Sequence, residues 1–403
     1  MASHFDFTSQ DYFRNPAASL EKLRSQGPVV EVKFPIIGKV WATTTQAMAD
    51  RVLKDTGTFT IRKADGEVAG MRWWMPGIIR TFATSMLSMD EPDHKRLRDI
   101  VDEAFRRRAV LGMEPHIQAI AEQLAGELFA EGSPADLIQR YARKLPLSVI
   151  CELLGLPEAD RPKFSSVAGR FSRFTGALGF LSMIPSALVM KRYIEAHLEN
   201  VRRYGGEGLI AEIVRVEKEG GRISGDEIVS MVFLLLFAGH ETTTHLISGS
   251  VHELLKNPQL RDWLAEDWSR ADLAIEEFLR FLSPVQFTKP RVARRDVELD
   301  GVIVKRGERI MAMLAAANMD PAANPHPERL ELERRPNRHI AFGTGIHFCL
   351  GHQLARIEGR CALKALFKRW PRLALAVPES EITWRKRAGL NAIDRLPVVV
   401  GES

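Results

Sequence analysis

A mainly helical fold with small β-sheets is predicted by three observations on this 403-residue chain. Helical apolar spacing dominates from Asp93 to about Glu217. One uninterrupted apolar helical run covers residues 225 to 256, the pattern of a helix buried through the middle of a molecule. Strand-like alternation is confined to short segments within 30–43, 285–315 and 372–400.

Taken in order, residues 30–34 and 39–43 alternate around Pro35 and Gly38 and predict a small hairpin. Residues 44–55 predict a helix. Residues 61–88 set Gly66, Gly70 and Gly77 among Trp73, Trp74, Met75, Ile78 and Phe82. An irregular, aromatic-rich segment of that length predicts a lid or a pocket wall. Residues 171–189 break the helical pattern with glycines and Pro185, which predicts a greasy helix–loop–helix connection. Ser224 followed by Glu227 predicts a capping box at the start of the long run. Helices then continue through 257–281, short strands and turns fill 285–315, and residues 352–369 form a last long helix. There is no internal repeat or low-complexity linker, so residues 1–403 are read as a single domain.

The balance of 45% hydrophobic and 27% charged residues is that of a soluble globular protein. The sequence opens without an apolar run, and Met231 to Ala238, its longest strongly apolar stretch, is too short to cross a bilayer. The expectation is a cytoplasmic monomer with no membrane span. The net charge of +5 is spread without basic tails. No zinc-finger spacing, aromatic RNA-binding motif or phosphate loop accompanies it, which argues against nucleic acid and for an acidic protein partner. The cysteines are Cys151, Cys349 and Cys361, too few for a disulfide framework or a multi-cysteine metal site. Cys151 and Cys361 lie in apolar helical patterns and read as buried thiols.

Cys349 is different. It sits in the run Phe342, Gly343, Thr344, Gly345, Ile346, His347, Phe348, Cys349, Leu350, Gly351, just before the last long helix. A thiolate that ligates iron needs a fixed backbone, shelter from solvent and donors near its sulfur. Glycines permit tight turns and close approach of backbone to a flat cofactor. The pattern Phe-Gly-x-Gly-x-His-x-Cys-x-Gly resembles the haem-binding signature of the soluble bacterial cytochrome P450 monooxygenases. On that resemblance Cys349 is the axial ligand of haem b (iron protoporphyrin IX), His347 contacts a propionate, Phe342 packs beside the thiolate and Gly343 lies against the cofactor. The resemblance also implies the triangular, prism-shaped P450 fold with a long central helix over the haem.

Inside the long run lie Ala238, Gly239, His240, Glu241, Thr242 and Thr243. A glycine, an acid and hydroxyls are costly choices in an apolar helix. A hydroxyl that bonds back to a helix carbonyl opens a local groove. The segment is similar to the family's oxygen-binding groove. That likeness places Glu241 and Thr242 at the acid and alcohol positions that deliver protons to oxygen, and Ala238 and Gly239 at the small positions. Glu277 and Arg280 stand three apart on one helix face, and alone such pairs say little. In the resembled family a Glu-x-x-Arg pair holds the cofactor core together with a later arginine or histidine; Arg334, Arg335, Asn337, Arg338 and His339 lie in the region for that link, with Arg334 favoured. His94 and Arg98, four apart after Asp90, Glu91 and Pro92, match the family's propionate-binding segment, and Arg291 matches another propionate position.

Substrate-facing positions implied by the resemblance are Trp74, Met75, Phe82, Phe174, Phe233, Val285, Phe287 and Thr288. They are largely apolar and imply a small lipophilic substrate. Arg106, Arg107, Arg108, Arg356, Arg360, Lys364 and Arg369 would form a docking face for an acidic ferredoxin or flavodoxin, itself served by a reductase. No segment matches a flavin or iron–sulfur domain, so electrons would come from that separate partner. The reaction implied is monooxygenation, a hydroxylation or epoxidation. A peroxide-driven peroxygenase and a non-catalytic haem sensor or ligand-binding protein are the alternatives.

Overall fold

The hairpin appears where the alternation places it. Val29–Phe34 (β1) pairs antiparallel with Gly38–Thr43 (β2), from Val29 opposite Thr43 to Phe34 opposite Gly38. The computed structural model describes residues 5–34, 38–62, 85–107, 110–164, 167, 176–220 and 222–401. In chain order the helices are Gln10–Arg14 (α1), Pro16–Arg24 (α2), Gln46–Lys54 (α3), Asp93–Arg107 (α4), Glu114–Glu127 (α5), Lys144–Leu154 (α6) and Gly176–Tyr204 (α7). They continue with Leu209–Lys218 (α8), Gly225–Lys256 (α9), Pro258–Glu266 (α10), Ala271–Leu282 (α11), Leu314–Asn318 (α12) and His352–Arg369 (α13). The later strands are Phe59–Thr60 (β3), Arg291–Ala293 (β4), Val297–Leu299 (β5), Val302–Val304 (β6), Arg309–Ala312 (β7), Leu373–Leu375 (β8) and Pro397–Val400 (β9).

The chain forms two compact units, each discontinuous in sequence. The first comprises Met1–Arg72, His245–His352 and Leu373–Ser403. The second comprises Trp73–Thr244 and Gln353–Arg372. In the first unit a five-stranded sheet has the order β1-β2-β7-β4-β3. β7 runs parallel to β2, with Trp41 opposite Ile310, and antiparallel to β4, with Arg291 opposite Ile310. Val29, Val52, Phe59, Ala293, Leu299, Val304 and Ile310 bury one cluster against it. Burying each such side chain contributes about 1.5–3 kcal/mol.

The second unit is helical apart from the two-residue strand Ala135–Asp136. Its α9 begins where the cap predicts: the Ser224 backbone N–H donates to Glu227 Oε2 at 2.7 Å, and the Glu227 N–H donates to Ser224 Oγ at 3.3 Å. Arg96 of α4 donates to the other Glu227 oxygen at 2.6 Å, so the same carboxylate caps one helix and ties it to another. Residues through Thr244 of α9 belong to this unit, and those from His245 belong to the first.

One expectation is corrected. The predicted break across 171–189 is absent from 176 onward, because α7 continues through Pro185 for 29 residues. Proline removes one backbone hydrogen bond and crowds the preceding turn, a penalty of about 3 kcal/mol. The buried residues that follow, Ala187, Met190, Ile194, Leu198 and Val201, recur on one face of the helix, and their packing outweighs that loss.

Candidate active site

In the first unit the Cys349 loop is a chain of turns. Gly343 N–H donates to the Ile340 carbonyl at 2.8 Å, Phe348 N–H to Gly345 at 3.0 Å, and Cys349 N–H to Phe342 at 3.0 Å. Gly343 and Gly345 hold φ of +69° and +73°. At Gly345 a Cβ would stand 2.4 Å from the Leu53 carbonyl oxygen of α3, so the loop can lie on that helix only with glycine there. Gly345→Ala is expected to cost about 1–3 kcal/mol of stability, read from denaturant unfolding, with the change at the loop rather than in the sheet. At Gly343 and Gly351 a Cβ would meet nothing within 4 Å, so bare backbone lies open on either side of the cysteine. His347 closes a 3-10 turn two residues before Cys349. The rings of Phe342, Phe348 and His352 gather around the loop, with Phe348 4.9 Å from His352.

These residues fit a haem. Cys349 is in no disulfide, and among the described residues no cluster of three or more His, Cys, Asp or Glu is placed to hold a bare metal ion. A single thiolate suits a metal that arrives with four nitrogens of its own. The open glycine backbone suits a flat partner. Arg291 of β4 is buried, gives one N–H to the Phe59 carbonyl at 3.3 Å, and carries a permanent positive charge suited to a carboxylate.

Glu277 and Arg280 of α11 are both 0% exposed, which two charges in mid-helix do not announce in the sequence. Arg280 donates to both oxygens of Glu277, at 2.7 and 2.8 Å. The structure brings Arg334 onto the same carboxylate at 3.2 Å, with Asn337 Nδ2 at 3.1 Å and the Glu331 N–H at 3.0 Å. The remaining guanidinium donors go to carbonyls of Asn318, Pro325, His326, Pro327 and Arg329, and Arg334 Nη2 also pairs with the Glu331 carboxylate at 3.1 Å. Two arginines around one carboxylate thus pin the loop of residues 325–337 that leads to the cysteine. Asn337 lies among the candidates named for this link, whereas the Glu331 backbone was beyond sequence reasoning, because only the folded loop brings it there.

In the second unit the middle of α9 carries the acid and alcohols. Thr242 Oγ1 donates to the Ala238 carbonyl at 2.8 Å, Thr243 to Gly239 at 3.4 Å and Thr244 to His240 at 2.7 Å. Three successive back-bonding threonines loosen this stretch of helix. Ala238 is exposed, and Leu234, Phe237 and Thr242 are partly so, which puts the accessible residues at spacings of three and four along one face. Gly239 is also partly exposed. A Cβ there would lie 3.1 Å from Ile150, so the glycine lets α6 pack closely. Glu241 is largely buried. His240 bonds through Nδ1 to the Leu236 carbonyl, and burial lowers its pKa. Phe233 is buried and stacks on Phe237, ring centroids 4.5 Å apart.

His94, in the first turn of α4, is buried, and burial lowers its pKa. Arg98 donates to Asp102 at 2.9 Å. Val285 forms a bridge to Leu390, Thr288 N–H donates to the Ala312 carbonyl at 3.0 Å, and the Phe287 ring packs 4.8 Å from Phe34. Trp74, Met75, Phe82 and Phe174 lie outside the described residues. Of the basic face, Arg360 is held bidentately by Glu114 at 2.6 and 2.8 Å and Arg106 pairs with Glu103 at 2.8 Å. Pairing reduces the field these two project. Arg108 and the Arg107 side chain lie outside the described residues.

A mainly helical fold with small sheets, a glycine-bounded cysteine loop and a loosened acid–alcohol helix define a haem-thiolate oxygenase. The family model for cytochrome P450 matches residues 187–371. Vitamin D(3) 25-hydroxylase of Pseudonocardia autotrophica is 38% identical over 405 residues, covering 98% of this chain and 96% of that protein. The structure of the bacillaene polyketide synthase cytochrome P450 PksS of Bacillus subtilis 168 superposes with a TM-score of 0.89 at 34% identity, covering 99% of this chain and 100% of that one. Myxobacterial cytochrome P450 CYP267B1, in complex with myristic acid, superposes with the same TM-score at 33% identity over the full length of both chains. The chain belongs to the cytochrome P450 family and is a soluble bacterial-type monooxygenase that acts on lipophilic substrates with electrons from an external donor. No helix among the described residues is long and apolar enough to cross a membrane.

Proposed function

We propose that this enzyme hydroxylates or epoxidises a large, mostly apolar substrate of the sterol or polyketide kind, with Cys349 as the residue that would hold the haem iron. The observation that carries this reading is the Cys349 loop, a cysteine outside any disulfide set between glycines at 343 and 351 that leave the backbone open. The substrate class draws support from relatives named for 25-hydroxylation of vitamin D(3) and for polyketide biosynthesis. When bound, the haem activates dioxygen and supplies the oxidising power.

The chain's own residues place and protonate. Cys349 donates from a sulfur whose backbone is fixed by its N–H bond to Phe342. Arg291, His347, His94 and Arg98 are the candidate cations for the two propionates, and burial favours a hydrogen-bonding role for His94 over a fixed charge. Ala238, the small residue on the accessible face of α9, leaves room for a diatomic ligand. Thr242 gives its hydroxyl proton to the Ala238 carbonyl at rest and can rotate to offer it to oxygen. Glu241 restores that proton from the solvent side. A ferredoxin or flavodoxin, reduced by its reductase, is the proposed electron donor. Thr242→Ala is expected to cut product per electron by about tenfold or more, with the lost electrons appearing as hydrogen peroxide. Unchanged product per electron would count against the role of Thr242.

A further inference from the structure

The first helix, α1, is only five residues long, yet within the first unit it is pinned on two flanks. Gln10 bonds reciprocally with the backbone of Trp384. Its Nε2 donates to the Trp384 carbonyl at 2.7 Å, and its Oε1 accepts the Trp384 N–H at 2.8 Å. Arg14 donates to the carbonyls of Ser380 and Ile382 at 2.6 and 2.8 Å and lies over the Trp384 ring. Tyr12, between them, is buried, and its hydroxyl donates to Gln286 Oε1. Burial raises the Tyr12 pKa, so the donor stays protonated at physiological pH. Gln286 is held from every side. Its Nε2 donates to the Ser283 carbonyl at 2.8 Å, its backbone N–H donates to the Gly389 carbonyl at 2.9 Å, and its own carbonyl accepts the Ala315 N–H at 3.1 Å. Just before α1, Phe7 is buried too. It stacks on Phe34 of β1 with ring centroids 4.9 Å apart and meets Phe287 edge-on at 6.0 Å. Phe287 also closes on Gly389, where a Cβ would stand 3.2 Å from the ring.

These contacts converge on one short strip. Gln286 is buried, while Val285 and Phe287 on either side of it are partly exposed, the alternation of an extended backbone. We propose that Tyr12 and Phe7 are positioning residues for the substrate, holding Val285 and Phe287 in place through Gln286 and through the Phe287 ring. The proposal rests on the lipophilic-substrate reading above, with residues 285–288 facing that substrate. Both residues act through others, so their effect is on the shape of the wall. Small displacements of a positioning surface change which bond of a substrate is presented and how fast it reacts. Removing the Tyr12 hydroxyl takes a donor from a buried acceptor, and the Gln286 amide must then turn or draw in water. Either response shifts the backbone that its own bonds tie down. Shortening the Phe7 ring removes the edge that Phe287 leans on. The start of the chain is thereby a determinant of selectivity, although Tyr12 lies 274 residues before Gln286.

The test uses the haem-loaded enzyme and two azoles that bind haem iron through a ring nitrogen. Imidazole is too small to press on a wall, whereas clotrimazole carries bulky aryl rings that do. Spectral titration gives a Kd for each, and the ratio of the two reads the wall alone. Phe287→Ala should change that ratio by about fivefold or more. Tyr12→Phe and Phe7→Leu should each change it by about threefold or more, with the imidazole Kd unmoved. In the Phe287→Ala background Phe7→Leu should add nothing further, because the contact it acts through is gone. An unchanged ratio in Tyr12→Phe and Phe7→Leu, beside a changed one in Phe287→Ala, overturns the proposal alone. The two residues are then structural, and only the urea unfolding midpoint falls. A full Phe7→Leu effect in the Phe287→Ala background also overturns it, because the route through Phe287 is lost. An unchanged ratio in Phe287→Ala removes the substrate-facing reading itself, and the proposal with it. If Phe7→Leu does not fold, Tyr12→Phe decides, since it keeps the ring and deletes only the hydroxyl.

Discussion

Glu277→Ala is expected to destabilise the protein by about 3–5 kcal/mol, the usual cost of breaking a buried ion pair by removing one partner. The carboxylate is the single anion between Arg280 and Arg334, and it also receives Asn337 and the Glu331 N–H. Deleting it leaves Arg280 without its countercharge and Arg334 with only the half-exposed Glu331 carboxylate, 3.1 Å from its Nη2. The other Arg280 donors reach carbonyls at Asn318, Pro327 and Arg329, which satisfy hydrogen bonds but do not neutralise charge. Glu277→Gln keeps the shape and one acceptor, so it should lose less than Glu277→Ala but still weaken both arginines. Because residues 325–337 lead directly to the cysteine loop, haem retention should fall together with the unfolding midpoint. Urea unfolding of the three proteins checks this. A loss below about 1 kcal/mol in Glu277→Ala would mean the pair behaves like a surface bridge.

Cys349→Ala is expected to abolish the thiolate haem spectrum and monooxygenation while leaving the fold nearly unchanged. The loop is shaped by backbone bonds, Gly343 to Ile340, Phe348 to Gly345 and Cys349 to Phe342, none of which needs the sulfur. Its glycine requirement at 345 comes from the Leu53 carbonyl, again independent of the cysteine side chain. The substitution therefore separates ligation from folding. Far-ultraviolet circular dichroism should match the wild type, and product formation with a competent ferredoxin system should drop to background. Oxygenation retained in Cys349→Ala would remove the ligand assignment.

Where local chemistry decided the structure, the sequence was readable. α9 starts at Gly225 because Ser224 and Glu227 cap each other. The hairpin register follows from alternation across the Pro35–Gly38 connection. The cysteine loop was legible because glycine is required wherever φ is positive or a carbonyl approaches. Reading failed where distant packing overruled a local signal. Pro185 looked like a break, but the buried face from Ala187 to Val201 carries α7 through it. Gly239 carries a contact its motif does not record, since its Cβ direction meets Ile150 of a helix almost ninety residues away in sequence. The Glu277–Arg280 pair and its link to Arg334 were legible only through the family resemblance, since nothing in a three-residue spacing records that both are sealed by residues 325–337.

The most direct test of the central assignment is the absorption spectrum of the purified, dithionite-reduced protein under carbon monoxide. A thiolate from Cys349 predicts a strongly red-shifted carbonyl Soret band in the wild type and its disappearance in Cys349→Ala. A histidine-type carbonyl band from fully folded wild-type protein, or no bound haem after supplementation, would contradict the assignment.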